Sequence, residues 1–452
     1  MSRPETTQNW TAQNFHVLLA TWLGTLFDGM DCSIYILTLY PSLSELLGTT
    51  SHATVGSYGA LLLALFMFGW AAGAVVFGMC ADRIGRSKTL VLTVLLYAFC
   101  TGLCAICQTW QELALCRFFV GCGIGGEISI GGVLLSECWS GKARLHATGV
   151  LQTAFSVGVL ILAGINLAIG HMGWRGLYLV GIVPALLAIY IRLKLTDPAH
   201  TVAVKHYREQ LKQKPKAQLN AKELSLLSPT LVQLLKTESA TKLLVLVVLA
   251  ATVCVGNYAV IAWVPAWVNQ LTGTLAVQER SYVTLALDAG GLVGALLGGT
   301  TVLTLGRKRA FQTAFLGALI SCIGMFLTTK TFGTPLLLWA FTAGFFVISP
   351  FTYLFIYVPE LFDTHLRATA FGFCIQSGRI FAGLAAIASG LLITTFGGSY
   401  ACAGACVSLV YLLGLVATMF MPASPGVINT EPVETEDGQP STPVKICEPA
   451  AL

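Results

Sequence analysis

The sequence is short of charge. Asp, Glu, Lys and Arg make up only 10% of its 452 residues, where a soluble globular chain carries about 25%. So few charged groups cannot cover a water-facing surface at this size, which excludes a soluble enzyme. A strongly cationic face is also missing: 26 basic and 21 acidic residues leave a net charge of +5, and no nucleic-acid partner is expected. Histidine is scarce at seven residues. Neither HExxH nor GxSxG occurs, and no histidines pair within the apolar runs, so no catalytic centre, metal or cofactor is expected. The first sixteen residues have no basic segment followed by a small-residue cleavage site, and no removable signal peptide is expected.

What the chain has in quantity is apolar surface and small residues: 55% hydrophobic residues, 46 glycines and a mean hydropathy of +0.76. Fourteen cysteines do not indicate a disulfide framework. Cys32, Cys100, Cys104, Cys107, Cys116, Cys122, Cys254, Cys322, Cys374, Cys402 and Cys406 all lie inside apolar runs, where cysteine acts as a small hydrophobe. Cys100, Cys104 and Cys107 share a helical face, but no histidine or carboxylate beside them completes a metal site. The composition is that of an all-α polytopic membrane protein.

Apolar runs of bilayer-spanning length predict twelve transmembrane helices, at 17–40, 57–80, 89–108, 113–136, 147–169 and 174–194, then 242–269, 281–304, 310–329, 335–358, 367–394 and 399–421. They form two six-helix halves, 17–194 and 242–421, joined by a polar linker at 195–241. The N-terminal segment 1–16 and the proline-rich tail 422–452 flank them, and the tail's composition predicts disorder. The linker reads either as an amphipathic segment at the membrane surface or as a solvated tether. With the N-terminus inside, 21 basic residues fall on the cytoplasmic side and only Arg175, Arg280 and Lys330 opposite. The positive-inside rule then places both termini in the cytoplasm. With no organelle signal visible, a bacterial inner membrane is expected.

The halves echo each other. Glu137 and Arg144 recur as Glu360 and Arg367 at an offset of 223, and Gly85-Arg86 recurs as Gly306-Arg307 at an offset of 221. Repeated six-span halves are an architecture of secondary transporters, with the substrate site near the midplane between them. The residues also carry a resemblance. Gly78-Met-Cys-Ala-Asp82-Arg83-Ile-Gly85-Arg86-Ser-Lys88 resembles the loop signature of the major facilitator superfamily, and Arg117-Phe-Phe-Val-Gly-Cys-Gly-Ile-Gly-Gly-Glu127, Trp174-Arg175 and Pro359-Glu360-Leu-Phe resemble further motifs of it. More narrowly, Trp22-Leu-Gly-Thr-Leu-Phe-Asp28-Gly-Met-Asp31, Glu137-Cys-Trp, Phe155-Ser-Val-Gly158, Asn257-Tyr258 and Trp263-Val-Pro265 resemble the proton symporters for sialate and related organic acids. The resemblance implies alternating access by rocking of the halves, with a small organic anion and protons as partners, the lipid bilayer as surroundings and a monomer as the default state. One departure is Leu303, which stands where the second half should repeat Asp82.

Six charges fall within the spans: Asp28, Asp31, Arg117, Glu127, Asp288 and Arg379. Charges in hydrocarbon are costly and usually turned inward. At the helical rise of about 1.5 Å per residue, Asp28 lies at the centre of its span, Asp31 about 4 Å outward and Arg117 about 11 Å outward. A pair between Arg117 and either aspartate is within reach. The resemblance implies that such a pair couples protons, with Asp28 slightly ahead of Asp31; a permanent structural ion pair is the other reading. Glu127 is a second proton site or a partner of Arg379. Arg379, beside Gln376 and Ser377, is a clamp for a substrate carboxylate, or else a cation neutralised by Asp288 or Glu127. Asn257, Tyr258, Tyr353, Tyr357 and Gln152 are further candidates for the substrate site. At the cytoplasmic helix ends, Asp82, Arg83, Arg86, Glu137, Arg144, Glu360 and Arg367 are candidates for a gating latch. The leading expectation is proton-coupled symport of a small carboxylate such as sialate, lactate, pyruvate or an aromatic acid. A proton-independent facilitator or exporter of a neutral or amphiphilic metabolite, and a non-transporting membrane sensor, are the alternatives.

Overall fold

A computed structural model describes residues 12–49, 52–169, 173–197, 199–213, 227–260, 264–272, 277–397 and 399–424. The N-terminal eleven residues and the tail beyond 424, for which disorder was expected, lie outside the described residues. Among the described residues the regular structure is helical throughout, with no strand.

Five spans of the first half begin the chain: Ala12–Leu47, His52–Ile84, Arg86–Cys104, Trp110–Cys138 and Gly141–Ile169. The sixth is two helices, Trp174–Val180 and Pro184–Lys194, the second opening on a proline that has no N–H to leave unbonded there. In the second half, Val277–Leu305, Arg307–Thr328 and Thr334–Glu360 are the eighth to tenth spans. The seventh runs Ala240–Val255 into a π turn, Gly256–Val260, and then Val264–Thr272. The eleventh breaks at Ser377 between Arg367–Gln376 and Gly378–Thr395, and the twelfth bends at Leu409 between Tyr400–Ser408 and Val410–Met419. Among the described residues eleven spans are long and apolar enough to cross a bilayer; the remaining expected span, at 367–394, is the one divided at Ser377. Several helices run well past the predicted boundaries, because hydrogen-bonded helix continues beyond the apolar stretch.

Lipid supplies no hydrophobic drive between helices, so close packing does. The second and fourth spans touch backbone to backbone: a Cβ on Gly69, Gly73, Gly121 or Gly125 would stand 1.9 to 2.2 Å from a carbonyl oxygen of the facing helix. The eighth and tenth spans make the repeat-related contact, and the halves meet where the second packs on the eleventh and the fifth on the eighth. Large apolar side chains such as Ile36, Leu186 and Leu193 cover the outside, 67% to 75% exposed, as a lipid-facing surface requires. The described parts of the linker pack on the bundle. Its helices Ala199–Gln213 and Thr230–Thr237 bury Arg208, Leu211 and Leu234 against the bundle.

Candidate functional site

Arg117 reaches down from the fourth span to Asp31, not to Asp28. Its Nη1 donates to Asp31 Oδ2 at 2.8 Å, and its Nη2 donates to Oδ2 at 3.1 Å and Oδ1 at 3.3 Å. Thr101 donates a further bond to Asp31 Oδ1 at 2.6 Å. Both charges are buried, and the guanidinium carbon lies 5.2 to 5.5 Å from the ring centroids of Tyr35, Phe66 and Tyr178. The pair is therefore closed off by aromatic walls, with both Asp31 oxygens and both Arg117 Nη atoms hydrogen-bonded. The depth arithmetic allowed either aspartate, and the rotation of the first span decided between them.

Asp28 occupies a different environment. It is fully buried, and neither carboxylate oxygen has a hydrogen-bond partner. The Glu127 carboxylate lies against the same face one turn away, filling the space that a side chain on Gly24 would take: a Cβ there would be 1.6 Å from Glu127 Oε1. Glu127 is 3% exposed and its Oε2 is also unpartnered. Tyr97, absent from the sequence-based candidates, brings a fully buried hydroxyl beside Glu127.

Arg379 sits just beyond the break at Ser377. Its Nε donates to Gln376 Oε1 at 2.8 Å and its Nη1 to the Tyr258 hydroxyl at 2.7 Å. The indole of Trp70, from the other half, lies under the guanidinium at 3.4 Å, a stacked cation–π contact. Among the described residues no carboxylate pairs with Arg379, so neither Asp288 nor Glu127 neutralises it by an ion pair. Two departures from regular helix assemble this group: the π turn carries Tyr258, and the broken eleventh span carries Gln376 and Arg379. Such departures are frequent at functional sites. Trp70 was not a candidate in the sequence, where a tryptophan in a spanning helix reads as packing.

The remaining candidates divide. The side chains of Asn257, half-buried in the π turn, and Gln152, half-buried in the fifth span, make no hydrogen bond to Arg379 or its partners among the described residues. Tyr353 and Tyr357 are not brought to Arg379. Tyr353 packs edge-on against Phe311 at 5.4 Å, and Tyr357 donates to the Pro422 carbonyl at 2.6 Å near the end of the tenth span. Their face of that span belongs to the interior of the second half, which correction the sequence could not foresee from composition.

A second constellation joins the halves at the end of the bundle where the described residues begin and end. Glu137 accepts from Arg86 of its own half at 3.3 Å and from Arg367 of the other at 3.1 Å. Glu360 repeats this, accepting from Arg307 of its own half at 2.8 Å and from Arg144 of the other. The offsets of 223 and 221 residues thus map one cross-clasp onto the other. Gly85 and Gly306 open the third and ninth spans at φ of +106° and +78°, a region that favours glycine, and so turn Arg86 and Arg307 toward their glutamates. Asp82 adds a contact that Leu303 cannot repeat: it pairs with Arg86 at 2.8 Å and accepts from Thr369 N and Oγ1 at 2.9 and 2.6 Å. Arg83 departs from the expectation; it is exposed and pairs with no carboxylate among the described residues. Arg208 of the linker takes a place instead, donating to the carbonyls of Asp82 at 2.5 Å and His365 at 3.5 Å, one in each half. Its buried position was hidden in the sequence among ten basic residues of similar surroundings.

Two six-helix halves, a broken helix bearing a buried cation between them and a reciprocal ionic clasp at one face define a multi-pass membrane carrier. Residues 21–382 match the Major Facilitator Superfamily, and the chain belongs to it. It is a transporter of small molecules and not an enzyme. A putative metabolite transport protein of Haemophilus influenzae is 29% identical over 417 residues, which cover 92% of this chain and 97% of that one. A probable 4-methylmuconolactone transporter of Cupriavidus pinatubonensis is 26% identical over 432 residues, 94% of each chain. The solved structure of the proton:xylose symporter XylE superposes with a TM-score of 0.72 at 18% identity, covering 90% of this chain and 95% of that one, and attests the fold.

Proposed function

We propose that the protein is a proton-coupled symporter of small organic anions that works by alternating access. The observation that carries this reading is Arg379. A guanidinium that is 6% exposed, set at a helix break between the halves and hydrogen-bonded to Gln376 and Tyr258, is a cation with no carboxylate paired to it among the described residues. A planar fork in that position suits a substrate carboxylate, while Tyr258 and Gln376 fix its orientation and Trp70 offers a flat apolar surface. The names of relatives support a carboxylate or a compact aromatic or unsaturated acid: niacin, sialic acid, cis,cis-muconate and benzoate are what those transporters are said to carry. The 21-to-3 distribution of basic residues supports termini in the cytoplasm, so the cross-clasp at Glu137 and Glu360 shuts the cytoplasmic side, and a bacterial inner membrane is the proposed location.

Proteoliposomes loaded with a pH dye test the reading. Benzoate, nicotinate, cis,cis-muconate and N-acetylneuraminate are added outside, and protein-free vesicles correct for passive entry of undissociated acid. Protein-dependent acidification by at least one acid is expected, together with uptake of that acid in labelled form. Labelled uptake without proton movement would replace symport by facilitated transport.

A further inference from the structure

We propose that the coupled proton is carried by Asp28 and Glu127, not by the Asp31–Arg117 pair, and that binding of the substrate anion at Arg379 drives its uptake. The proposal rests on the symport reading and assigns the proton site within it.

The two carboxylate settings differ in what they lack. Asp31 has an arginine fork and the Thr101 hydroxyl, so its lone pairs are engaged and its charge is matched. Protonating it would break those bonds and leave Arg117, fully buried, without a counter-charge. Asp28 and Glu127 have no ion pair among the described residues, and three of their four oxygens are buried and unbonded. Buried polar atoms without partners are rare and call for a ligand. For two carboxylates set one turn apart along the Gly24–Asp28 face, the smallest ligand is a proton. The Tyr97 hydroxyl, fully buried beside Glu127, is a second group aimed into the same space.

The groups facing Asp28 are Glu127 from the fourth span, Asp31 and Cys32 from its own, Tyr97 from the third and Arg379 from the eleventh. Their charges set the sequence of events. With Asp31 balanced by Arg117, Asp28 and Glu127 both ionised and Arg379 cationic, the group sums to −1, and one proton on Asp28 or Glu127 brings it to zero. A substrate carboxylate on Arg379 returns the sum to −1, and a second proton on the remaining carboxylate oxygen restores neutrality. Because an unmatched charge away from water is strongly unfavourable, anion and proton enter together. When the anion departs, Arg379 is bare again and the second proton leaves. One anion and one proton move per cycle, with no net charge and no change in covalent bonding.

The test counts protons at binding. Wild-type protein in detergent is titrated with the same four acids by calorimetry near pH 7, in phosphate and in imidazole buffer, whose different ionisation heats reveal the protons taken up. Wild type should absorb about one proton per anion bound. The Asp28→Asn/Glu127→Gln double variant, which keeps both shapes, should bind the anion with less than about a tenth of that uptake. In vesicles it should move the anion as net charge, so that an imposed inside-positive potential speeds its entry, whereas wild-type entry ignores the potential. Asp31→Asn should retain the proton uptake; if that variant fails to fold, Asp31→Asn/Arg117→Gln, which removes both charges, replaces it. Undiminished uptake by the Asp28/Glu127 double variant, or loss of uptake in the Asp31 variants with anion still bound, would overturn the assignment while leaving symport intact. Anion binding or transport by wild type without protons, or no binding of any of the four, would overturn the symport reading and this assignment with it.

Discussion

Replacing Glu137 by Gln should open the clasped face. Glu137 Oε1 accepts from Arg86 at 3.3 Å and from Arg367 at 3.1 Å, with all three side chains at most 1% exposed, so solvent does not screen the loss. Removing one partner of a buried pair costs about 3–5 kcal/mol. Arg86 keeps Asp82 at 2.8 Å and Arg367 keeps the carbonyls of Pro359 and Phe362, which brings the expected cost down to about 1.5–3 kcal/mol, the worth of a hydrogen bond to a charged group. Only the Arg367 contact, one charge-assisted bond, weighs on the closed state alone, since Arg86 meets Glu137 within its own half in either state. At tenfold per 1.4 kcal/mol the opening equilibrium should rise by roughly 10- to 150-fold. Two amides report it directly. Ala368 and Thr369 stand in the first turn of a helix, where N–H groups have no intrahelical acceptor, and both donate to the Asp82 carboxylate across the interface. Their hydrogen exchange, followed by mass spectrometry, should accelerate by the same factor, while amides inside Arg86–Cys104 keep their protection. Unchanged exchange at 368–369 in a folded Glu137→Gln protein would refute the reasoning, because the clasp would then not hold the face shut. Glu360→Gln should behave alike, as the symmetry-related clasp.

Three further outcomes follow from the same geometry. Asp31→Asn strands the buried Arg117 and should lower stability by about 3–5 kcal/mol, whereas Asp28→Asn, whose carboxylate has no partner to lose, should leave the melting temperature in detergent unchanged or raised; the reverse order would contradict the observed pairing. Gly24→Ala would place its Cβ 1.6 Å from Glu127 Oε1 and should cost about 1–3 kcal/mol by overpacking, a loss that Glu127→Ala in the same chain relieves in a thermal melt. Arg379→Lys keeps the charge but loses the fork that reaches both Gln376 and Tyr258; KM for the transported acid should rise by at least about tenfold, the equivalent of one charged hydrogen bond, with a smaller change in maximal rate, and equal KM values would remove Arg379 from the binding site.

The pattern of apolar runs was enough to determine the membrane class, the two-half architecture and five of the buried charges within the spans, because hydrocarbon tolerates few polar groups and each exception stands out; Asp288, the sixth charge, is only half-buried. The repeat also foretold the clasp: the offsets linking Glu137 to Glu360 and Arg144 to Arg367 are plain in the sequence, and the structure joins these very residues. Who pairs with whom was decided by the tertiary structure. Asp28 and Asp31 differ by three residues on one helical face, and only the packing of the first span against the third and fourth turned Asp31 to Thr101 and Arg117 while leaving Asp28 to Glu127. Tyr353 and Tyr357 look as eligible as Tyr258, yet only Tyr258 rides on a π turn that aims it at Arg379, and hydropathy does not register a π turn. Trp70, Tyr97 and Arg208 were overlooked for the same reason: an aromatic in an apolar run or an arginine in a basic linker has no distinguishing neighbours in one dimension. The sequence determines which charges lie within the spans; helix rotation and backbone breaks, set by close packing of the two halves, determine which of them are buried and which of them meet.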